Sequence, residues 1–148
     1  PSIDQEYYSD CLKDTPIRFV YDKTYELLNH SEAAIVTSGT ATLETALFDV
    51  PQVVCYKAHP VSYFIARLFV QINYISLVNI NMQQEVVKEL IQHDMNEKTL
   101  SDELHRILYD ADYIRQMKTG YKQLKTLLGE KDASRKIARA IYHRLQAG

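Results

Sequence analysis

Apolar residues follow two rhythms along the chain. The stretch from 33 to 54, AAIVTSGTATLETALFDVPQVV, opens on four consecutive apolar residues, Ala33 to Val36, which read as a strand. A small polar turn, Thr37-Ser38-Gly39-Thr40, stops the run. Leu43, Ala46 and Leu47 then recur at helical spacing, Pro51 closes the helix, and Gln52 to Lys57 resumes the strand pattern. One βαβ unit is expected here.

The flanking segments continue the alternation. Pro1 to Thr15 is polar, a short helix anchored by Tyr7, Tyr8 and Leu12. Ile17 to Tyr21 is β-branched and aromatic, which predicts a strand. Asp22 is the expected N-cap of a helix from Lys23 to Asn29, with Tyr25 and Leu28 inward. After His59-Pro60 comes Val61 to Val70, apolar and aromatic-rich around Arg67. It suits either a buried helix or a surface that meets a membrane or partner. Tyr74 to Val78 predicts a strand ending at Asn79, then a loop over Asn81 to Gln84 and a helix over Glu85 to Ile91 with Val86, Val87 and Leu90 inward. Asn96 caps the next helix, marked by Leu100, Leu104, Ile107 and Leu108. Ile114, Met117, Tyr121, Leu124 and Leu128 mark a long basic helix that Gly129 stops. Asp132 would cap a last helix carrying Ala133, Ile137, Ala140, Ile141 and Leu145.

This order predicts an α/β fold, a Rossmann-like parallel sheet with helices on both faces. Ligands of such sheets sit beyond the carboxyl ends of the strands. Two turns are expected there, Ser38-Gly39-Thr40 and Asn79 to Gln84.

Composition narrows the class. With 148 residues, 46% hydrophobic and 24% charged, the chain fits a single domain over 1–148 with a sizeable core. Cys11 and Cys55 lie far apart without metal or redox spacing and read as reduced cytosolic thiols. No signal-peptide pattern and no run of membrane-spanning length is evident. The chain begins at Pro1 rather than Met, so a further domain upstream is expected. Residues 111–148 hold nine Lys/Arg and three Asp/Glu, a net of +6, whereas 1–110 hold eight and sixteen, a net of −8. The basic segment is either a solvated helix face or a surface for an anionic partner.

Chemistry concentrates at the first turn. Ser38, Gly39 and Thr40 offer hydroxyls and backbone N–H groups at a helix start, which suits phosphate oxygens or a plain helix cap. Neither a P-loop nor a G-x-G-x-x-G frame is present. Glu44, one turn on, can accept from both hydroxyls of a ribose or simply face solvent. Asn79, Gln84 and Glu85 are candidates to read a base or a ribose, or to cap a helix. The histidines, His59 included, show no ligand spacing, and no Ser-His-Asp arrangement is evident.

Taken in order, Ser38-Gly39-Thr40-Ala41-Thr42-Leu43-Glu44, Pro51-x-Val53-Val54-x-Tyr56-Lys57, Tyr74-Ile75-Ser76-Leu77-Val78-Asn79, Glu85-Val86-Val87-x-Glu89-Leu90 and Asp132-Ala133-Ser134-Arg135 resemble the C-terminal half of the bacterial lipid-A-disaccharide synthase family, from about Ile17 onward. The resemblance implies the donor-binding half of a two-domain glycosyltransferase B architecture. It implies transfer from UDP-2,3-diacylglucosamine to 2,3-diacylglucosamine 1-phosphate with inversion and release of UDP. The enzyme would act peripherally at the inner face of the cytoplasmic membrane, without metal, cofactor or nucleic acid. By position, Ser38, Gly39 and Thr40 would hold the diphosphate, Glu44 the ribose, and Asn79, Gln84 and Glu85 would line the donor pocket. Gln83-Gln84 stand where the family usually has Gly-Arg, so another cation, such as Lys57, would have to compensate. The catalytic residues are expected in an N-terminal half outside this chain, which alone would be inactive and prone to dimerise or swap domains. Another UDP-sugar enzyme, such as an epimerase, and a non-catalytic interaction domain remain the alternatives.

Overall fold

The computed structural model describes residues 5–37, 39–58, 73–129 and 142–144. The expected helix over Val61 to Val70, His59 and most of the expected last helix lie outside the described residues. The chain forms two compact units, Pro1–His30 and Ser31–Gly148.

The first unit holds α1 (Gln5–Leu12) and α2 (Thr24–Asn29). Tyr8, Phe19 and Tyr21 form an aromatic cluster, with the Phe19 and Tyr21 rings 5.5 Å apart and edge-on. Ile17 to Tyr21 is not a strand here, and its apolar side chains are largely exposed. A β-rich composition makes a strand only where a ladder partner is at hand, and none of the described strands pairs with it. Asp22 does not cap α2. It takes a left-handed φ of 55°, and Lys23 occupies the cap position without a side-chain bond. Leu28 turns inward as expected, whereas Tyr25 is exposed.

The second unit is built on three parallel strands in the order β1-β2-β3: β1 (Ala34–Thr37), β2 (Gln52–Tyr56) and β3 (Lys88–Ile91). The register pairs Ala34 with Gln52 and Val53 with Lys88. On β2, Gln52 and Val54 point one way and Val53 and Cys55 the other, and all four are buried, so the central strand is covered on both faces. The expected β-turn-α-β unit is present, with α3 at Ala41–Leu47.

Two expectations fail around β3. Tyr74 to Val78 is not a strand; Ser76 caps a helix, α4 (Leu77–Met82), by accepting from the Asn79 N–H at 3.2 Å. Glu85 to Ile91 is not a helix; it leads into β3 and ends there. Val86, Val87 and Leu90 fit either period over so short a run. The later helices follow the sequence closely. Asn96 opens α5 (Glu97–Tyr109) with a reciprocal cap from Thr99. Asp110 caps α6 (Ala111–Leu128), and Gly129 ends it at a φ of 86°.

The core joins Val53, Val54 and Cys55 of β2 to Val87, Leu90, Ile107, Met117, Tyr121 and Leu124. Helix α6 lies close to the segment before β3 at Gly120, where a Cβ would meet Val86 Cγ1 at 2.5 Å. A buried staple joins α5 to α6: Glu103 accepts from Tyr113 Oη at 2.5 Å and Arg106 Nη1 at 2.9 Å, and the guanidinium covers the Tyr113 ring at 3.8 Å.

Candidate functional site

All three strands run in parallel, so the segments that follow them leave the sheet at one edge. The segment after β1 is the turn expected to bind a ligand. Gly39 has a φ of 130° and open space where a Cβ would stand, so the turn requires glycine for its backbone rather than for room. Its carbonyl accepts from Thr42 N at 3.2 Å and Thr42 Oγ1 at 2.8 Å. The Thr40 carbonyl takes Leu43 N and Glu44 N. By contrast, the N–H groups of Gly39, Thr40 and Ala41 find no acceptor among the described residues, and the Thr40 hydroxyl caps nothing. The carboxylate of Glu44, half-buried one turn on, carries no hydrogen bond or ion pair among the described residues. Free amide hydrogens at a helix start attract an anion, and a carboxylate beside them accepts from hydroxyl groups. Ser38 lies outside the described residues.

The other two strand ends are tied together at the same edge. Gln92, just past β3, reaches across to the segment after β2: its Oε1 accepts from Ala58 N at 2.9 Å and its Nε2 donates to Ala58 O at 3.1 Å. Lys57 lies between the last residue of β2 and this clamp, exposed and without an ion pair among the described residues.

The remaining sequence candidates are elsewhere. Asn79 was expected after a strand at the ligand edge; it is instead within α4 and fully buried. Its side chain is committed internally, with Oδ1 accepting from Val86 N and Val87 N while Nδ2 donates to Val87 O and Glu89 Oε1. Gln84 and Glu85 precede β3, whose first residue is level with the start of β2, and so stand at the amino edge, opposite the Gly39–Thr40 turn. There they border a groove of about 540 Å³ with Arg115, Gln116, Thr119 and Gln123 of α6. Glu85 also pairs with Lys88 at 3.5 Å on the surface.

Three residues that organise this half were not singled out from sequence. The Glu89 carboxylate accepts from Ile75 N, Ser76 N and Asn79 Nδ2, fixing α4 against β3. Gln92 makes the clamp to Ala58, and Glu103 the staple to Tyr113. The expectation of a helix over Glu85 to Ile91 hid the use of Glu89. Elsewhere, burial raises the thiol pKa of Cys55, and both cysteines are free. Burial also raises the Tyr121 phenol above its ordinary value, against the Gln52 amide, which donates to it at 3.3 Å.

Comparison with known proteins bears on this geometry. The family model described as lipid-A-disaccharide synthetase matches residues 8–142. A lipid-A-disaccharide synthase of Persephonella marina is 39% identical over 80% of this chain and 31% of its own length. That of Syntrophotalea carbinolica is 34% identical over 85% of this chain and 32% of its own length. The Myxococcus xanthus protein of the same name is 31% identical over 100% of this chain and 39% of its own length. The chain thus spans about a third of the length of these curated relatives. With its parallel α/β sheet and the family match over most of its residues, the chain belongs to the lipid-A-disaccharide synthetase family.

Proposed function

We propose that this chain is the donor-nucleotide-binding part of a hexosyltransferase that joins UDP-2,3-diacylglucosamine to 2,3-diacylglucosamine 1-phosphate and releases UDP. The observation that carries this reading is the set of N–H groups at Gly39, Thr40 and Ala41 that find no partner among the described residues, with the Glu44 carboxylate, likewise unclaimed among them, one turn away. In this reading the diphosphate sits on the Ser38-Gly39-Thr40 turn and Glu44 accepts from the ribose hydroxyls. As the glycosidic bond breaks, negative charge gathers on the leaving diphosphate, and fixed N–H dipoles stabilise it without reorganising. In this reading the chain binds the donor, and none of the residues described at this edge is assigned to deprotonate the acceptor's sugar hydroxyl.

The two substrates are acylated in this reading, and the work is done peripherally at the inner face of the cytoplasmic membrane. Lys118 and Lys122 lie along one side of α6 between Arg115, which pairs with Asp112, and Lys125, which pairs with Asp49, and the two lysines suit anionic headgroups. No helix among the described residues is long and apolar enough to cross a membrane.

Calorimetric titration with UDP tests the site. Saturable binding that Glu44→Ala weakens about tenfold, a loss of one hydrogen-bonded charged partner, is the expected result. Absence of saturable binding by the parent chain would refute the assignment.

A further inference from the structure

Of the four non-glycine residues with left-handed φ among the described residues, Asp49 and Gln83 stand just past the ends of α3 and α4, where that conformation commonly closes a helix. Gln92 is different: it leaves a strand at a φ of 52°. A residue with a Cβ adopts this conformation at a cost, and keeps it only where its surroundings hold it. What holds Gln92 is its own side chain. The amide makes two bonds to the backbone of Ala58, one accepted and one donated, as a neighbouring strand residue would. The backbone of Lys57 is therefore fixed at both ends, by the β2 ladder at Tyr56 and by the clamp at Ala58.

The register gives that fixation a direction. Thr37 pairs with Cys55 at the last step of the β1–β2 ladder, so the segments carrying Gly39 and Lys57 leave neighbouring strands at the same edge of the sheet. Among the described residues of the three exits (37–41, 56–58 and 91–95), Lys57 is the one lysine or arginine. It is exposed and has no ion pair among the described residues, although Glu44 and Asp94 lie near this edge in sequence. The glutamines at 83 and 84 provide no charge, and they stand at the other edge of the sheet.

We infer that Lys57 is the cation that meets the diphosphate, and that Gln92 is a positioning residue that holds Lys57 at the same edge as the Gly39–Thr40 turn through Ala58. This rests on the donor-site reading above. The two side chains act in series: Gln92 fixes a backbone, and Lys57 places a charge.

The test is titration of the 148-residue chain with UDP and, separately, with uridine, for the parent, Lys57→Gln, Gln92→Gly and the double variant. Glycine is chosen at 92 because it accepts the left-handed backbone and deletes only the clamp. Each single variant is expected to bind UDP about tenfold more weakly, and the double variant no more weakly than Lys57→Gln, because one residue works through the other. Uridine, lacking phosphate, should bind all four alike. UDP binding by Gln92→Gly equal to the parent's would overturn the inference, and so would equal losses for UDP and uridine, which would reduce Gln92 to a structural part. A parent chain that binds no UDP would remove the donor site itself, a result separate from either of these.

Discussion

The two edges of the sheet use similar polar residues in opposite ways. Toward the α4–β3 side, Asn79 and Glu89 are satisfied by their own chain: one amide holds Val86, Val87 and Glu89, and one carboxylate holds Ile75, Ser76 and Asn79. At the carboxyl edge, the side chains of Thr40 and Glu44 hold nothing among the described residues, and three backbone N–H groups nearby are equally unclaimed. Buried polar groups without partners destabilise a fold, so evolution fills them or leaves them at a surface where something else can. Whether a polar residue is spoken for internally therefore separates residues that build this domain from residues available to a ligand. The comparison yields a graded set of expected effects on stability.

The largest belongs to Asn79. Asn79→Ala removes four hydrogen bonds from a site with no access to water and strands the Val86 and Val87 N–H groups. A loss of about 3–5 kcal/mol is expected, several unsatisfied groups acting together, seen as a lower midpoint in urea denaturation. A loss below 1 kcal/mol would show that the buried network is not what holds α4 to β3.

Next comes the contact of α6 with the segment before β3. Gly120→Ala puts a methyl 2.5 Å from Val86 Cγ1, a short branched side chain with little freedom to move aside. Overpacking of this kind costs about 1–3 kcal/mol. Gly120→Ala combined with Val86→Ala should recover part of that loss in the same denaturation series, since the clash has then been removed.

These buried contacts also explain which features could be read from sequence. The turn after β1 was legible because small polar residues interrupt two apolar runs and Pro51 closes the helix between them. Helices α5 and α6 were legible because their stripes extend over 13 and 18 residues and their ends carry Asn96 and Gly129. β3 was not, because four residues are too few to separate a period of two from a period of 3.6. Asn79 showed its chemistry but not its use: an amide that reads a base and an amide that satisfies two buried N–H groups are the same residue in sequence. Ile17 to Tyr21 has strand composition, yet pairing with a neighbour is a tertiary fact that composition does not carry.

A smaller effect is tied to pH. Tyr121 is fully buried, and burial raises its phenol above the ordinary value of 10.0. In the unfolded chain the phenol ionises near its ordinary value, whereas in the folded chain it stays neutral. Its contribution is thus intact below about pH 10 and falls as pH rises beyond that, by at most about 1.4 kcal/mol per pH unit. Urea midpoints of the parent and of Tyr121→Phe, compared from pH 9 to 11, should show a shallower decline in the variant. Parallel declines would place the alkaline loss elsewhere.

The smallest change in stability is expected where the ligand-facing residues are altered. Thr40→Ala and Glu44→Ala remove side chains that hold nothing among the described residues, so both should unfold within about 0.5 kcal/mol of the parent. Glu44→Ala should nonetheless lose UDP affinity, and Thr40→Ala should lose it for UDP more than for uridine, since the hydroxyl is assigned to phosphate. This pairing is the sharpest check on the comparison. Asn79→Ala is expected to lower the urea midpoint most, whereas the Glu44 variant is expected to keep its midpoint and lose the ligand. If Glu44→Ala instead unfolded at markedly lower urea, the carboxylate would belong with Asn79 and Glu89 among the residues that build the domain. The carboxyl edge would then have lost the group assigned to the ribose.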